Sequence, residues 1–578
     1  MAGPTAPKDP EKARPFFYIL KDKDIFGERQ KDGTGIQFIY ESDGRLINSA
    51  QITGNVTDKE ELRLLETVEG FGRLVHSIGV SVETDRPEET AEFVFQMYGK
   101  KDLYGGGTNL TTSLKCDGME HRIYLSDYRW TEDDHVPGQI KILFAAPERM
   151  GKVSVRLFLN DGYEAPPEEE DLVIDMHSEE YCGMISRSLL QLGNPYRIRK
   201  AIEKSKAGKE VTLAYIGGSI TQGAGAIPIH TECYAYKSFQ LFQNRFSTQN
   251  NVRFIKAGVG GTPSELGMIR FDRDVLREGE RPDIVVIEFA VNDEGDETKG
   301  VCYESLVRKV LKLPWKPAVV LLFSVFANDW NLQERLRPVG DLYDLPMVSI
   351  RDAVTPQFSL KCGEGRILSK NQFFYDIFHP NNTGHTIMAD CLQYLFERCD
   401  AAEPARVGTF VEGMTEEQIL SEKLSGPAVI GADFERIFLL DKKNRYVGAK
   451  IRAGGFTSTD MELQSVEMDG NLTQTPEFPY NWMYDGSRLQ MPGFEMEITC
   501  KSLFLIFKDS GEMDVGKANV FVNDVYCMTA DPHKNNWLHC NAVLLFWETE
   551  SRSHKVRIAV TEEDRNKKFT ILGFGYTI

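Results

Sequence analysis

The sequence predicts an α/β fold, with a doubly wound, flavodoxin-like parallel sheet in the middle of the chain and a β-sandwich on either side. Between about residues 185 and 400, near-continuous apolar runs such as "VTLAYIGG" and "DIVVIEFAV" alternate with helical segments. This is the pattern of buried parallel strands that are covered by helices on both faces. Before and after this region the apolar residues recur with a period of two, which is typical of antiparallel strands.

The first region, residues 1–180, is predicted to be an N-terminal, jelly-roll-like β-sandwich without helices. Phe93, Phe95 and Met97 fall on one face of the segment "AEFVFQMY", and the segments "GQIKILFAAP" and "KVSVRLFLND" alternate in the same way. Clusters of Gly, Asp and Pro separate these runs, and no helical pattern is evident between them.

The third region, residues 405–578, returns to a period of two after the α/β domain at 185–400. The segments "GFEMEITC" and "HKVRIAV" alternate, and "VFVNDVYC" predicts a hairpin that turns at Asn523 and Asp524. We therefore expect a second β-sandwich at the C-terminal end.

Composition narrows the classes of partner. The 578 residues carry a formal net charge of −19, which argues against nucleic acid or an anionic membrane and favours a neutral substrate. No window approaches the roughly 18 apolar residues of a membrane span. Pro and charged residues stand where a leader peptide needs an apolar run, which favours a cytoplasmic location. The ten cysteines form no C-x-x-C pair, so we expect them to be mostly buried free thiols in a reducing compartment.

Polar residues follow the strands of the α/β domain, where ligands of doubly wound sheets gather. Ser219 follows the first strand, the loop "AGVGGTPSELG" follows the second, and Asn292 ends the third. The segment "YDIFHPNNTGH" adds Asp376 and His379 just before the last helix. A serine needs a base to become a nucleophile, and the base needs a partner that fixes its tautomer.

This set of residues predicts acyl transfer. Asp376, three residues before His379, can reach Nδ1 and leave Nε2 free for Ser219. The backbone N–H groups of Ser219 and Gly261 and the amide of Asn292 can stabilise the oxyanion. A phosphate loop is excluded because no Lys-Ser/Thr pair follows the glycines at its spacing, and neither the dinucleotide nor the G-x-S-x-G pattern is present.

The motifs "GGSIT", "AGVGGT", "AVND" and "DIFHP" together resemble, in order, the four signature blocks of the SGNH (GDSL-type) hydrolases, over about 200 residues. The resemblance implies that Ser219 is the nucleophile, His379 the base and Asp376 its partner, with Gly261 and Asn292 completing the oxyanion hole. The chain departs from the family pattern in two positions. Gly218 stands where Asp is usual, and Ala290 stands where Gly is common.

Within this family, the chain most resembles the carbohydrate O-acetylesterase branch. Members of that branch have accessory β-sandwich domains, one of them similar to a carbohydrate-binding module. This resemblance implies a serine esterase that deacetylates xylan- or mannan-type oligosaccharides. No cluster of His, Cys and carboxylates has metal-site spacing, so we expect neither a metal nor a cofactor. Trp482, in the segment "FPYNWMYDGS", is the candidate for sugar contact. A lipid or aryl esterase of this fold and a non-catalytic carbohydrate-binding protein stay open as alternatives, as do the oligomeric state, monomer or homo-oligomer, and whether the third domain covers the active site within one chain.

Overall fold

The computed structural model describes most of the chain in eight stretches, and the fold is built from them. They are residues 12–40, 45–101, 105–168, 170–277, 279–402, 414–467, 474–487 and 492–578. The N-terminal residues 1–11 and the predicted start of the C-terminal domain at residue 405 lie outside these stretches.

The N-terminal region folds as two antiparallel sheets that enclose an apolar core. Its strands are β1 (Phe16–Phe26), β2 (Glu28–Arg29), β3 (Gly35–Tyr40), β4 (Val75–Thr84), β5 (Thr90–Gly99), β6 (Asn109–Lys115), β7 (His121–Tyr124), β8 (Asp134–Phe144) and β9 (Met150–Leu159). One sheet has the order β1-β9-β4-β7 and the other β2-β3-β8-β5-β6. Phe93, Phe95 and Met97 are all buried in this core, as their spacing on one face predicts.

The prediction that this region lacks helices is wrong. Three short helices lie between β3 and β4, namely α1 (Arg45–Thr53), α2 (Lys59–Leu64) and α3 (Val68–Leu74). The side chains of Asp58 and Thr67 cap the second and third of them. Leu46 and Phe71 bury these helices against the same core as the strands, so tertiary packing stabilises segments too short to be stable alone.

The middle region is a doubly wound α/β domain, which confirms the predicted fold class. Its strands are β10 (Leu189–Gln191), β11 (Val211–Gly217), β12 (Val252–Gly258), β13 (Ile284–Glu288), β14 (Ala318–Phe323) and β15 (Met347–Ser349). The parallel strands have the order β12-β11-β13-β14-β15, which is the flavodoxin-like order. The short β10, which was not predicted, adds an antiparallel edge beside β15.

Helices cover both faces of this sheet. They are α4 (Glu179–Ser186), α5 (Tyr196–Lys206), α6 (Ser219–Gln222), α7 (Ile229–Glu232), α8 (Tyr234–Phe246), α9 (Ser264–Phe271), α10 (Val301–Leu311), α11 (Gln333–Tyr343), α12 (Ile350–Phe358), α13 (Lys370–Phe373) and α14 (Asn382–Ala401). Tyr215 and Ile216, neighbours on β11, belong to different apolar clusters on opposite faces. In the stretches that the structure describes, none of the helices combines the length and the apolar character that crossing a membrane requires.

The C-terminal region begins with a helix and continues as antiparallel strands. They are α15 (Glu416–Ser425), β16 (Phe438–Leu440), β17 (Ala449–Arg452), β18 (Ser465–Glu467), β19 (Gln474–Pro476), β20 (Trp482–Tyr484), β21 (Phe494–Asp509), β22 (Ala518–Val522), β23 (Val525–Ala530), β24 (His539–Val560) and β25 (Phe569–Thr577). The main sheet has the order β16-β25-β21-β24-β22-β23. Asn523 and Asp524, with φ values of 54° and 61°, form the predicted hairpin turn between β22 and β23.

The C-terminal domain packs directly on the α/β domain of the same chain. Phe504 and Ile506 on β21 share an apolar cluster with Met268 and Ile269 on α9. Leu420 on α15 joins this cluster as well, so the helix extends the α/β core rather than the sandwich. This shared core holds the third domain against the face of the sheet that α9 covers.

Candidate active site

Ser219 lies at the carboxyl edge of the sheet, where β11 passes into α6. A β-carbon built on Gly217 would lie 2.1 Å from Thr221 Oγ1 and 2.5 Å from the carbonyl oxygen of Glu288. Only glycine therefore fits at this sharp turn. Gly223, with a φ of 109°, ends α6 after a single turn. The short segment "GGSITQG" thus presents Ser219 at the end of a central strand.

The structure brings Ser219, His379 and Asp376 together in a line of hydrogen bonds. Ser219 Oγ lies 2.9 Å from His379 Nε2, and His379 Nδ1 lies 2.9 Å from Asp376 Oδ2. With the proton on Nδ1, the ring donates to the carboxylate and accepts from the hydroxyl. Asp376 Oδ1 also accepts from the backbone N–H groups of Phe378 and His379, over 2.8 and 2.9 Å, which fixes the carboxylate in place.

The loop that carries Asp376 and His379 is stabilised by a hydrogen bond between its own backbone groups and by one from the N-terminal domain. The N–H of Tyr375 donates to the carbonyl oxygen of His379 over 2.8 Å. From the N-terminal domain, the buried side chain of Lys23 donates to the carbonyl oxygen of Phe374. The N-terminal domain therefore stabilises the segment that supplies the base.

The loop that carries Gly261 and the side chain of Asn292 both pack against the turn at Ser219. A β-carbon on Gly258 would lie 2.0 Å from the backbone nitrogen of Gln222, so the loop that carries Gly261 packs closely on α6. On the other side, a β-carbon on Gly218 would lie 2.2 Å from Oδ1 and 2.6 Å from Nδ2 of Asn292. The Asn292 amide therefore lies against the backbone of the nucleophile turn.

Two of these positions have features that suit an oxyanion site. Gly261 has a φ of +70°, a backbone conformation that residues other than glycine rarely adopt. The Nδ2 group of Asn292 can donate to an oxyanion, whereas its Oδ1, which is buried and, among the atoms that the structure describes, has no hydrogen-bond partner, can only accept. Buried polar groups are normally satisfied, and exceptions occur at functional sites.

Residues of the C-terminal domain hold the loop at residues 258–261, which we call the oxyanion loop because it carries Gly261. His539 Nε2 donates to the carbonyl oxygen of Gly261 over 3.1 Å, and Gln464 Nε2 donates to that of Gly260 over 3.0 Å. The other ring nitrogen of His539 lies 3.3 Å from Asp509 Oδ2. Sequence reasoning missed His539 and its partners, because no local motif marks them.

Trp537 is an exposed aromatic residue that borders this site. A β-carbon on Gly261 would lie 2.8 Å from Trp537 Cζ2, so the indole lies directly against the oxyanion loop. The side chain is still 45% exposed, and its ring packs at 4.7 Å on that of His539. The signal that could have found it is the segment "DPHKNNWLHC", a polar loop with one tryptophan between two alternating segments.

The structure does not bring Trp482 to the site, and the expectation that it contacts sugar is corrected. The side chain is only 5% exposed and packs against Phe494 and Phe574 in the core of the C-terminal domain. Trp482 belongs to β20 and pairs with Ile571 on β25. An indole that fills a sheet core has no face left for a ligand.

A buried carboxyl group lies beneath the nucleophile. Glu288, at the end of β13, accepts from Thr221 Oγ1 over 3.1 Å and from Ser324 Oγ over 2.9 Å. Burial raises the pKa of Glu288 to about 7, although these hydrogen bonds and the charge of His379 oppose the rise. Thr221 also bonds Tyr234 over 2.8 Å, so the network anchors α6 to the sheet.

His385, the other histidine of this segment, is structural. Its Nδ1 accepts from the N–H of Tyr234 and its Nε2 donates to the carbonyl oxygen of Ala224, both over 3.1 Å. Burial lowers the pKa of His385 to about 3, so the ring is neutral and both nitrogens are occupied. In the part of the chain that the structure describes, no group of three or more His, Cys, Asp or Glu side chains is placed to hold a metal ion.

A serine, a histidine and an aspartate at the carboxyl edge of a doubly wound sheet define the class of the protein as a serine-dependent acyl hydrolase. Residues 215–387 match the GDSL-like Lipase/Acylhydrolase family. The middle domain is therefore a GDSL-type domain and the chain is a carboxylic ester hydrolase, which confirms the resemblance seen in the sequence. No curated protein matches the chain.

Two crystal structures share the fold over most of their length. One is a two-domain esterase active on acetylated mannans, with 23% identity and a TM-score of 0.54, covering 68% of this chain and 98% of that chain. The other is a two-domain esterase active on acetylated mannans co-crystallised with mannopentaose, with 24% identity, a TM-score of 0.53 and the same coverage. At these identities the likeness shows the fold.

Proposed function

We propose that this protein removes O-acetyl groups from neutral acetylated oligosaccharides of the mannan or xylan type through an acyl-enzyme on Ser219. The observation that carries the proposal is the exposed Trp537 lying against Gly261, beside the hydrogen-bonded line of Ser219, His379 and Asp376. An accessible aromatic face next to the oxyanion loop suits a sugar ring, whose C–H faces are apolar.

In the acylation step, Ser219 Oγ attacks the acetyl carbonyl while its proton moves to His379 Nε2. Asp376 accepts the hydrogen bond from Nδ1 and stabilises the imidazolium that forms. The negative charge on the former carbonyl oxygen is stabilised by the N–H groups of Ser219 and Gly261 and by the Asn292 amide. The bond between the acetyl carbon and the sugar oxygen then breaks, and His379 gives its proton to that oxygen, so that the sugar leaves with a free hydroxyl group.

In the second step, water hydrolyses the acetyl-serine. His379 takes a proton from the water as it attacks and returns it to Ser219 Oγ when acetate leaves. Both steps use the same oxyanion donors, so the geometry around Gly261 and Asn292 limits each of them.

Three observations support a carbohydrate leaving group over nucleic acid or a membrane lipid. The formal net charge of −19 suits a neutral polymer. The described C-terminal domain reaches the oxyanion loop through His539 and Trp537. The two structures that share the fold are esterases active on acetylated mannans. We further propose a cytoplasmic location, which is supported by ten cysteines that are all free thiols.

The decisive experiment compares wild type with Ser219→Ala and Trp537→Ala on acetylated manno- and xylo-oligosaccharides and on aryl esters of short and long acids. We expect acetate release by wild type, none by Ser219→Ala, and a raised KM for oligosaccharides in Trp537→Ala. Trp547→Ala is the matched control, because Trp547 is 42% exposed on the same domain and packs on Phe434. Equal acetate release by wild type and Ser219→Ala would refute the mechanism, and a preference for long acyl chains would refute the substrate.

A further inference from the structure

A cavity lies between the N-terminal domain and the α/β domain, next to the loop that carries the catalytic histidine. Its volume is about 380 Å³, which falls in the range of about 300–1,000 Å³ that is usual for small-molecule sites. Helix α1 forms one wall and loops of the α/β domain form the other. Asn48 and Gln51 line it from α1, and Phe326, Lys370 and Phe378 line it from the other side.

The cavity and the catalytic triad share one loop. Ile377 and Phe378 line the cavity and stand between Asp376 and His379 in the chain. The ring of Phe378 lies 6.1 Å from that of His379. The N–H of Ala327 donates to the carbonyl oxygen of Ile377 over 2.9 Å. This hydrogen bond joins the segment that carries Phe326 to the loop that carries Phe378.

The lining combines aromatic faces with amide groups. Phe326 and Phe378 meet edge to face at 5.1 Å, and Phe378 is 37% exposed. Asn48 and Gln51, two residues with uncharged amide side chains, line the same space from α1. Of the described residues that line the cavity, the one with a charge is Lys370, and Asp329 neutralises it at 3.1 Å.

A neutral polyol is the ligand that this chemistry suits. Aromatic faces accept the apolar side of a sugar ring, and uncharged amides exchange hydrogen bonds with its hydroxyl groups. An anionic ligand would bring a charge that stays unpaired in this cavity. A strongly apolar ligand would leave the amides without hydrogen-bond partners.

We infer that this cavity is a distal subsite that binds a further sugar unit of the oligosaccharide whose acetyl group is removed at Ser219. The inference rests on the proposed function and extends it, because it assigns part of the substrate recognition to the N-terminal domain. The subsite contributes to binding long oligosaccharides and leaves the chemistry at Ser219 unchanged.

The test removes the amides of α1 and varies substrate length. We expect Asn48→Ala/Gln51→Ala to raise KM for acetylated mannopentaose or xylopentaose by about tenfold, since two hydrogen bonds to the ligand are lost. KM for the acetylated monosaccharide and for an aryl acetate stays unchanged. The single variant Gln51→Ala, at an exposed position, provides a milder change, and Asn109→Ala, an exposed amide on β6, is the matched control.

A second measurement separates this inference from the proposed function. In the Ser219→Ala background, calorimetry with unmodified mannopentaose and xylopentaose reports binding without turnover, and we expect the double variant to bind about tenfold more weakly. Equal binding, or an equal loss of activity on the oligosaccharides and the aryl acetate, would overturn the subsite while acetate release still supports the esterase. A wild type that hydrolyses aryl acetate but no sugar acetate would overturn the proposed function and, with it, the subsite.

Discussion

Gly218 is one of the two residues at which this chain departs from the usual family sequence, and its replacement by alanine is expected to disable the oxyanion hole. The Asn292 amide lies against Gly218, and a β-carbon there would lie 2.2 Å from Asn292 Oδ1. Real β-carbons essentially never approach a neighbour closer than 3.0 Å. The amide must therefore retreat by about 1 Å or rotate away.

This displacement sets the size of the effect. A misplacement of about 1 Å can cost about 100-fold in rate, and the loss of one oxyanion donor costs about 10²–10³ in kcat. We therefore expect Gly218→Ala to lower kcat about 100-fold, which corresponds to about 3 kcal/mol in the barrier. KM for a small acetate ester is expected to stay nearly unchanged, because the lost interaction forms mainly in the transition state.

The assay is steady-state hydrolysis of an aryl acetate by Gly218→Ala, Asn292→Ala and the double variant. If Gly218→Ala acts through Asn292, the double variant loses no more than either single variant, because the two changes remove one interaction. Gly295→Ala is the matched control, since a β-carbon there meets no atom within 4 Å. A Gly218→Ala enzyme that keeps most of its kcat, or a double variant whose losses multiply, would refute this reasoning.

Three further predictions concern groups around the site. Asp376→Asn is expected to lower kcat by about 10³–10⁴-fold, because His379 loses the acceptor that fixes its tautomer; a loss below tenfold in the same assay would contradict the assigned role. His539→Ala is expected to lower kcat about tenfold without changing the melting temperature by more than a few degrees, since the carbonyl of Gly261 loses its partner; an unchanged kcat would show that the loop needs no support. For Glu288→Gln the pH dependence of stability is the readout: the folded-state pKa of about 7 lies above the ordinary 4.5, so the wild type loses about 3 kcal/mol of stability as pH rises from below 4.5 to above 7. The amide does not titrate, so the melting temperature of the variant is expected to rise relative to wild type between pH 5 and 8, and a constant difference would contradict the buried ionisation.

The sequence predicted those parts of the fold whose pattern is long enough to be periodic. Strands such as β11 and β13 bury both faces and therefore read as continuous apolar runs. Helices α1, α2 and α3 escaped prediction because each has only six to nine residues, too few for a helical period to emerge. The caps at Asp58 and Thr67 were the available signal for two of them.

Some residues of the candidate site lie in short motifs that the sequence reveals, whereas others are brought to the site only by tertiary packing. Ser219 follows a glycine turn, and Asp376 stands three residues before His379, so short motifs predict these residues. Trp537 lies in a polar loop of the C-terminal domain and Trp482 in an aromatic-rich segment of the same domain, and neither segment shows by itself which indole lies at the site. The choice depends on which edge of the C-terminal sheet packs on α9, and that is decided by the apolar residues of β21 far along the chain.

All three domains contribute to the active site, because each flanking domain donates a hydrogen bond to one of its loops. The family match covers residues 215–387, and this range contains Ser219, Asp376 and His379 together with the two residues proposed to complete the oxyanion hole. The carbonyl of Gly261, however, is held by His539 from the C-terminal domain, and the carbonyl of Phe374 by Lys23 from the N-terminal domain. Each flanking domain thus fixes one of the two loops that must align with Ser219. Because a shift of about 1 Å in either loop is enough to cost about 100-fold in rate, the flanking domains act on the chemistry through the backbone that they hold.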